Sequence, residues 1–236
     1  MSKVSPGAKI HLIAIGGAVM HNLALDLQSA GYLVSGSDDR IDEPARGRLA
    51  TAGLLPEPMG WDASRITPDL DTVVLGMHAK ADNPELQRAL ELGIRVCSFP
   101  ELVGEMTAHQ QRLVVAGSHG KTTVTSMVMH ALRFHGINFD YLVGSAMPGY
   151  ERMVQLGTQA AAVVLEGDEY LSSALDPRPK MSHYNPHATV VTGIAWDHIN
   201  VFPTRESYEK VFADYIRSLE PGAVLIYFEE DPILAR

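Results

Sequence analysis

Between the apolar run Leu113 to Ala116 and a helix-like stretch, VTSMVMHALRFHG, stands Gly117-Ser-His-Gly-Lys-Thr-Thr123. A glycine turn that ends a buried strand and opens a helix restricts this chain more than any other feature, because it requires a strand–loop–helix unit of an α/β fold. Glycines let backbone N–H groups curl around phosphate oxygens, and the amino end of the helix adds positive potential. In that setting Lys121 can neutralise phosphate charge and the Thr122 hydroxyl can ligate Mg²⁺. The usual spacing is G-x-x-x-x-G-K-[ST]; Val115 occupies the place of its first glycine, leaving the shorter form G-x-x-G-K-T-T. The plainer reading of the same residues is a glycine turn with a solvated lysine.

The strand–turn–helix order also opens the chain. Ile10 to Ile15 is apolar and rich in β-branched residues, ends at Gly16-Gly17, and runs into AVMHNLALDLQSAG, which closes on Gly31 before a second strand, Tyr32 to Gly36. That is the start of a crossover unit in a parallel sheet. Asp71 to Gly76, a helix from Pro84 to Leu92, the strand IRVCSF and a helix through ELVGEM continue the alternation. The expected fold class is α/β, with a Rossmann-like amino-terminal domain over residues 1–108 and the polar segment Thr107 to Arg112 at the boundary. An incomplete P-loop ATPase-type central domain is expected over 109–236. Its strands are Leu113 to Ala116, Ala160 to Glu166, Ala188 to Ala195 and Ala223 to Phe228, with a helix from Glu206 to Ser218. EEDPILAR follows partway through an unfinished alternation.

Nineteen basic against 28 acidic side chains give a net charge of -9, so no overall positive field is available to hold nucleic acid. The single cysteine, Cys97, sits in an apolar setting that suits a buried structural thiol. No apolar run reaches the roughly 18–20 residues that span a bilayer, and MSKVSPGAK lacks the core of a secretory signal. The expectation is a soluble, unexported, cytoplasmic protein without membrane partners. Ten histidines form no HExxH or Cys/His cluster, and His11, His130 and His135 read as packing or surface residues. The methionines of SMVMHAL read as helix core.

Two further positions follow strands of the second unit. Glu166, in LEGDEY, would reach the sheet edge that carries the phosphate loop, where a hard carboxylate oxygen suits Mg²⁺. Asp197-His198 follows ATVVTG in the same way, or forms a structural hydrogen-bonding pair. The first glycine turn, Gly16-Gly17-Ala18, lacks full G-x-G-x-x-G spacing, although Asp38 and Asp39 lie about 21 residues on, where an acid commonly meets a ribose hydroxyl. NAD binding and a tight turn without ligand both remain open there.

IAIGGAVMHNLA with GSDD, then AGSHGKTT, EGDEY and AWDHINVFPT, resemble in order the motifs of Mur ligases, the ATP-dependent enzymes that build peptidoglycan precursors. Within the family, EGDEY, DPRPKMSHY and DHINVFP look most like the members that recycle murein peptide; those that add L-alanine are the runner-up. The resemblance implies a UDP-sugar domain, an ATPase domain and a third, carboxyl-terminal domain that this sequence does not reach, so a truncated and inactive fragment is expected. It implies ATP and Mg²⁺ as cofactors, with UDP-N-acetylmuramate and a murein peptide as partners. Gly117, Ser118, His119, Gly120, Lys121, Thr122 and Thr123 would hold ATP. Lys121 would meet its β- and γ-phosphates, and Thr122, Glu166 and His198 would hold metal, with Lys121, Glu166 and His198 as the catalytic set. Gly16, Gly17, Ala18, Ser37 and Asp38 would face UDP. The implied reaction activates the sugar's carboxylate with ATP as an acyl phosphate, ADP leaving, and an amine then displaces phosphate. Leu171 and Thr192-Gly193 depart from the family pattern. A non-catalytic nucleotide-binding module is the reading from another class, and folylpolyglutamate-type ligases share only the central loop.

Overall fold

The apolar runs form two sheets in the computed structural model, which describes residues 5–157, 159–197, 199 and 201–235. The first sheet contains β1 (Lys9–Ile13), β2 (Leu33–Ser37), β3 (Thr72–Leu75) and β4 (Arg95–Ser98), parallel and in the order β2-β1-β3-β4. Helices α1 (Ala18–Ser29), α2 (Ala45–Thr51), α3 (Pro84–Glu91) and α4 (Phe99–Met106) accompany it. The second sheet contains β5 (Gln111–Ala116), β6 (Phe139–Leu142), β7 (Val154–Gln155), β8 (Ala162–Glu166), β11 (Ala188–Val191) and β12 (Val224–Tyr227). Its order is β12-β11-β5-β8-β6-β7, parallel except for β7, which runs antiparallel to β6. A separate hairpin pairs β9 (Leu171–Ser173) with β10 (Asp176–Pro179), and helices α5 (Lys121–Phe134) and α6 (Arg205–Arg217) complete the fold.

Topology decides where ligands can sit. The first sheet proceeds from β1 outward to β2 and then returns to β3 on β1's other side, while β5 lies between β8 and β11. Each arrangement opens a crevice beyond the carboxyl end of the central strand, and both glycine turns follow those strands.

Several elements differ from the sequence reading. β1 ends at Ile13, because Ala14 turns the backbone to a φ of 64°. The strand β6 was not foreseen: Asp140 interrupts its apolar character, yet it is fully buried and accepts a hydrogen bond from Gln110 Nε2 at 2.8 Å. Met129 is buried as a helix-core residue should be, whereas Met127 is 65% exposed. Cys97 is buried. His11 is buried against Ser35 and Glu85, and His130 and His135 are exposed. Among the described residues no helix is long and apolar enough to cross a membrane.

The two sheets meet through α1. Asn22 Oδ1 accepts the Met153 N–H at 3.0 Å and Asp26 Oδ2 accepts the Leu156 N–H at 2.9 Å, so two side chains of one helix satisfy backbone donors flanking β7.

Candidate functional site

Helix beginnings distinguish the candidate sites from the rest of the fold. In α3, α4 and α6, Asn83, Ser98 and Thr204 accept backbone N–H groups as side-chain caps. Glu43 Oε2 accepts the Gly47 N–H in the first turn of α2 at 3.1 Å, but no side chain caps α1 or α5, which begin after Gly17 and Gly120. Their first-turn N–H groups have no intrahelical partners and carry the positive end of the helix dipole. The amino ends of α1 and α2 border one cavity, and Thr122 and Thr123 of α5 border another.

Glycine is required within the phosphate loop. A Cβ on Gly117 would stand 2.2 Å from Thr192 Oγ1, and both Gly117 (φ 126°) and Gly120 (φ 78°) occupy backbone conformations that L side chains rarely adopt. Thr192 Oγ1 donates to the His119 carbonyl at 2.6 Å, and Ser118 N–H donates to the Gly193 carbonyl at 2.9 Å. Thr192 and Gly193 therefore hold the loop against the end of β11. Ser118 Oγ accepts the Ala195 N–H at 2.9 Å. With its amide and hydroxyl both engaged, Ser118 braces the loop from behind, while His119 is exposed at its tip.

Lys121 Nζ donates to the carbonyls of Gly117 (2.6 Å) and Ser118 (3.3 Å) and to Glu169 Oε2 (2.8 Å). One helical residue further on, Thr122 Oγ1 donates to Glu166 Oε1 at 2.9 Å, and the other Glu166 oxygen accepts the Gly144 N–H at 3.0 Å. Two hard oxygens thus meet at the carboxyl edge of the sheet. That donor set fits Mg²⁺, which usually takes one or two protein oxygens and completes its shell with waters and phosphate. Among the described residues no group of three or more His, Cys, Asp or Glu forms a ready-made metal cage. His198 lies outside the described residues.

The cavity beside Thr122 and Thr123 measures about 460 Å³ and extends along α5 to the 146–150 loop. A second, of about 590 Å³, lies between the first glycine turn, the start of α2 and Gly144 to Ala146. Ala146 borders both. Gly16, Gly17, Ala18 and Asp38 line the second cavity. Asp38 Oδ2 accepts the Gly16 N–H at 2.8 Å, closing the turn, and burial raises its pKa above the ordinary carboxylate value. Ser37 does not line it: its fully buried hydroxyl donates to Glu85. Sequence reasoning missed His21 and Arg48 in the lining. His21 Nδ1 donates to the Gly17 carbonyl at 2.9 Å, and burial depresses the ring's pKa, leaving Nε2 to accept from Asn22. The signal for His21 was its position one turn into the helix behind the glycines; Arg48 carried no comparable signal.

A parallel α/β chain with an uncapped helix behind each of two glycine turns defines a phosphate-loop protein with a Rossmann-like unit ahead of it. This chain belongs to the Mur ligase family: the family's catalytic domain matches residues 9–111 and the Mur ligase middle domain matches residues 115–236. It is similar to UDP-N-acetylmuramate–L-alanine ligase of Rhodococcus erythropolis, 34% identical over 226 residues, covering 95% of this chain and 43% of that protein. The Mycobacterium tuberculosis ligase of the same name is 33% identical over 228 residues, covering 95% and 44%. The chain spans under half the length of these curated relatives. Among solved structures, the Neisseria meningitides UDP-N-acetylmuramate:L-alanyl-gamma-D-glutamyl-meso-diaminopimelate ligase superposes with a TM-score of 0.88 at 28% identity, covering 97% of this chain and 74% of that one. The UDP-N-acetylmuramate-alanine ligase of Thermotoga maritima gives 0.75 at 26% identity, covering 95% and 50%.

Proposed function

We propose that this chain is the nucleotide- and UDP-sugar-binding part of a cytoplasmic, ATP-dependent ligase that joins UDP-N-acetylmuramate to a murein peptide during peptidoglycan recycling. Residues 1–108 form the UDP-sugar unit and 109–236 the ATP unit. The observation that carries the reading is the double engagement of Glu166. One oxygen binds Thr122 of the phosphate loop and the other binds Gly144 of the turn bordering the second cavity, so one carboxylate ties the two sites together.

In this reading the N–H groups opening α5 and the Lys121 ammonium hold the β- and γ-phosphates of ATP, and Thr122, Glu166 and His198 hold Mg²⁺. Bound Mg²⁺ would supply charge neutralisation at the transferring phosphoryl group. Gly16, Gly17 and Ala18 present the open end of α1 to the UDP pyrophosphate, and Arg48 adds positive charge in the same cavity. Ala146 borders both cavities, and there the γ-phosphoryl group passes from ATP to the sugar's carboxylate, releasing ADP and forming an acyl phosphate from which an amine displaces phosphate to give the amide. The chain's part is to bind and orient both phosphorylated substrates.

The murein-peptide reading is supported by the 0.88 TM-score with the Neisseria ligase and by the EGDEY and DPRPKMSHY segments. L-alanine as the amine is the second reading, favoured by relatives of that name at 33–34% identity. Competition binding tests the sugar site: UDP-N-acetylmuramate should bind this chain and resist displacement by equimolar NAD. Displacement by NAD would overturn the assignment. Ligation assays on the whole protein with L-alanine against the tripeptide decide the amine.

A further inference from the structure

Tyr208 comes from α6, far along the chain from the phosphate loop, and it is fully buried. The Thr204–Ser207 capping box fixes the start of its helix. Phe202 and Phe212 pack edge-on against its ring, with centroids 5.1 and 5.3 Å away. Its orientation is thus set by packing, and its hydroxyl reaches two polar groups. Tyr208 Oη lies 2.8 Å from Ser118 Oγ and donates to Glu169 Oε1 at 3.1 Å. Burial raises the phenol's pKa, so the proton needed for that donation is retained.

The hydroxyl joins three segments that carry the site. Ser118 belongs to the phosphate loop and receives the Ala195 N–H from the segment that follows β11. Glu169, 1% exposed, grips Lys121 through its other oxygen at 2.8 Å. An ammonium has three protons, and Lys121 directs them to Gly117, Ser118 and Glu169. A terminal phosphate must therefore take Lys121 from acceptors that the loop and Glu169 supply.

Resting on the nucleotide-site reading above, we infer that Tyr208 is a positioning residue for terminal-phosphate recognition: its hydroxyl holds Ser118 and shares the charge of Glu169, keeping Lys121 aligned yet transferable. Without the hydroxyl, the Glu169 carboxylate has one donor fewer and holds Lys121 more tightly. Ser118 also loses its tie to α6. Both effects act on the terminal phosphate and leave base and ribose contacts alone.

Calorimetry of this chain with Mg²⁺ and either AMP-PNP or ADP tests the inference. Tyr208→Phe should weaken AMP-PNP binding about tenfold, the loss expected for a hydrogen bond to a charged group, and ADP binding by less than about threefold. Phe212→Leu, which disturbs the same packing but keeps the hydroxyl, should leave the AMP-PNP to ADP ratio unchanged. Ser118→Ala should reproduce part of the selective loss, and the Tyr208→Phe/Ser118→Ala pair should be less than additive. If Tyr208→Phe folds poorly, Ser118→Ala alone decides: a loss for AMP-PNP that ADP does not share supports the role, and equal losses overturn it. Equal losses for both nucleotides, an unchanged affinity, or full additivity would overturn the positioning role. Failure of the unsubstituted chain to bind AMP-PNP would instead overturn the nucleotide-site reading, and the inference with it.

Discussion

Asp26 offers a quantitative test of how α1 holds the two sheets together. Its side chain is only 7% exposed, and Oδ2 accepts the Leu156 N–H while Arg152 stands 4.0 Å from Oδ1. Burial is the largest influence and raises the pKa from 3.8 to about 7; the Leu156 N–H and Arg152 oppose it, and Asp140 adds to it. The folded state therefore retains a proton that the unfolded chain releases, and stability falls as pH rises from about 4 through 7. At about 1.4 kcal/mol per pH unit, the buried site of Asp26 costs the fold about 2 kcal/mol at pH 5, where the carboxyl stays protonated, and about 4 kcal/mol at pH 8, where it is largely ionised. Asn keeps an acceptor for Leu156 without the charge. Urea unfolding of the parent and Asp26→Asn should give a stability advantage to the variant that grows by about 2–3 kcal/mol from pH 5 to pH 8. Other titrating groups cancel in this difference. An advantage independent of pH would refute the argument that this carboxyl stays protonated between the sheets.

Two glycines of the phosphate loop should respond differently. Gly117→Ala meets Thr192 Oγ1 at 2.2 Å as well as an unfavourable φ, and should cost about 3 kcal/mol or more, whereas Gly120→Ala, with nothing within 4 Å of its Cβ, should cost about 1–2 kcal/mol; thermal unfolding separates them. Glu166→Gln retains an acceptor for Thr122 but loses the charge, so the Mg²⁺ concentration needed for half-maximal nucleotide binding should rise about tenfold or more. An unchanged Mg²⁺ requirement would remove Glu166 from the metal assignment.

Local patterns disclosed the strands with unbroken apolar runs, as in TVVL of β3 and AVVLE of β8, and they disclosed both glycine turns. They failed where a buried polar group is satisfied from elsewhere in the chain. Asp140 sits within the short run of β6, and its partner, Gln110, lies 30 residues away. Ser37 looked like a ligand-facing hydroxyl at a strand end, but Glu85, 48 residues on, accepts its proton in the interior. The acid near Thr122 was legible because Glu166 closes an apolar strand whose end had to reach the loop's edge. The braces behind that loop were not. Tyr208 is 90 residues from Ser118, and nothing in the amphipathic pattern of α6 separates a phenol that packs from one whose hydroxyl also holds a loop. Asn22 and Asp26 of α1 are likewise the buried partners of backbone donors about 130 residues away.

The central claim is that Gly117 to Thr123 holds the phosphates of a Mg²⁺-bound nucleotide. Isothermal titration of this chain with Mg²⁺ and ATP, beside Lys121→Ala, measures it directly. The account predicts saturable binding with one nucleotide per chain and a loss of about tenfold or more in the variant, since one charge-assisted contact to phosphate is removed. Equal affinity of the two proteins for ATP would contradict it.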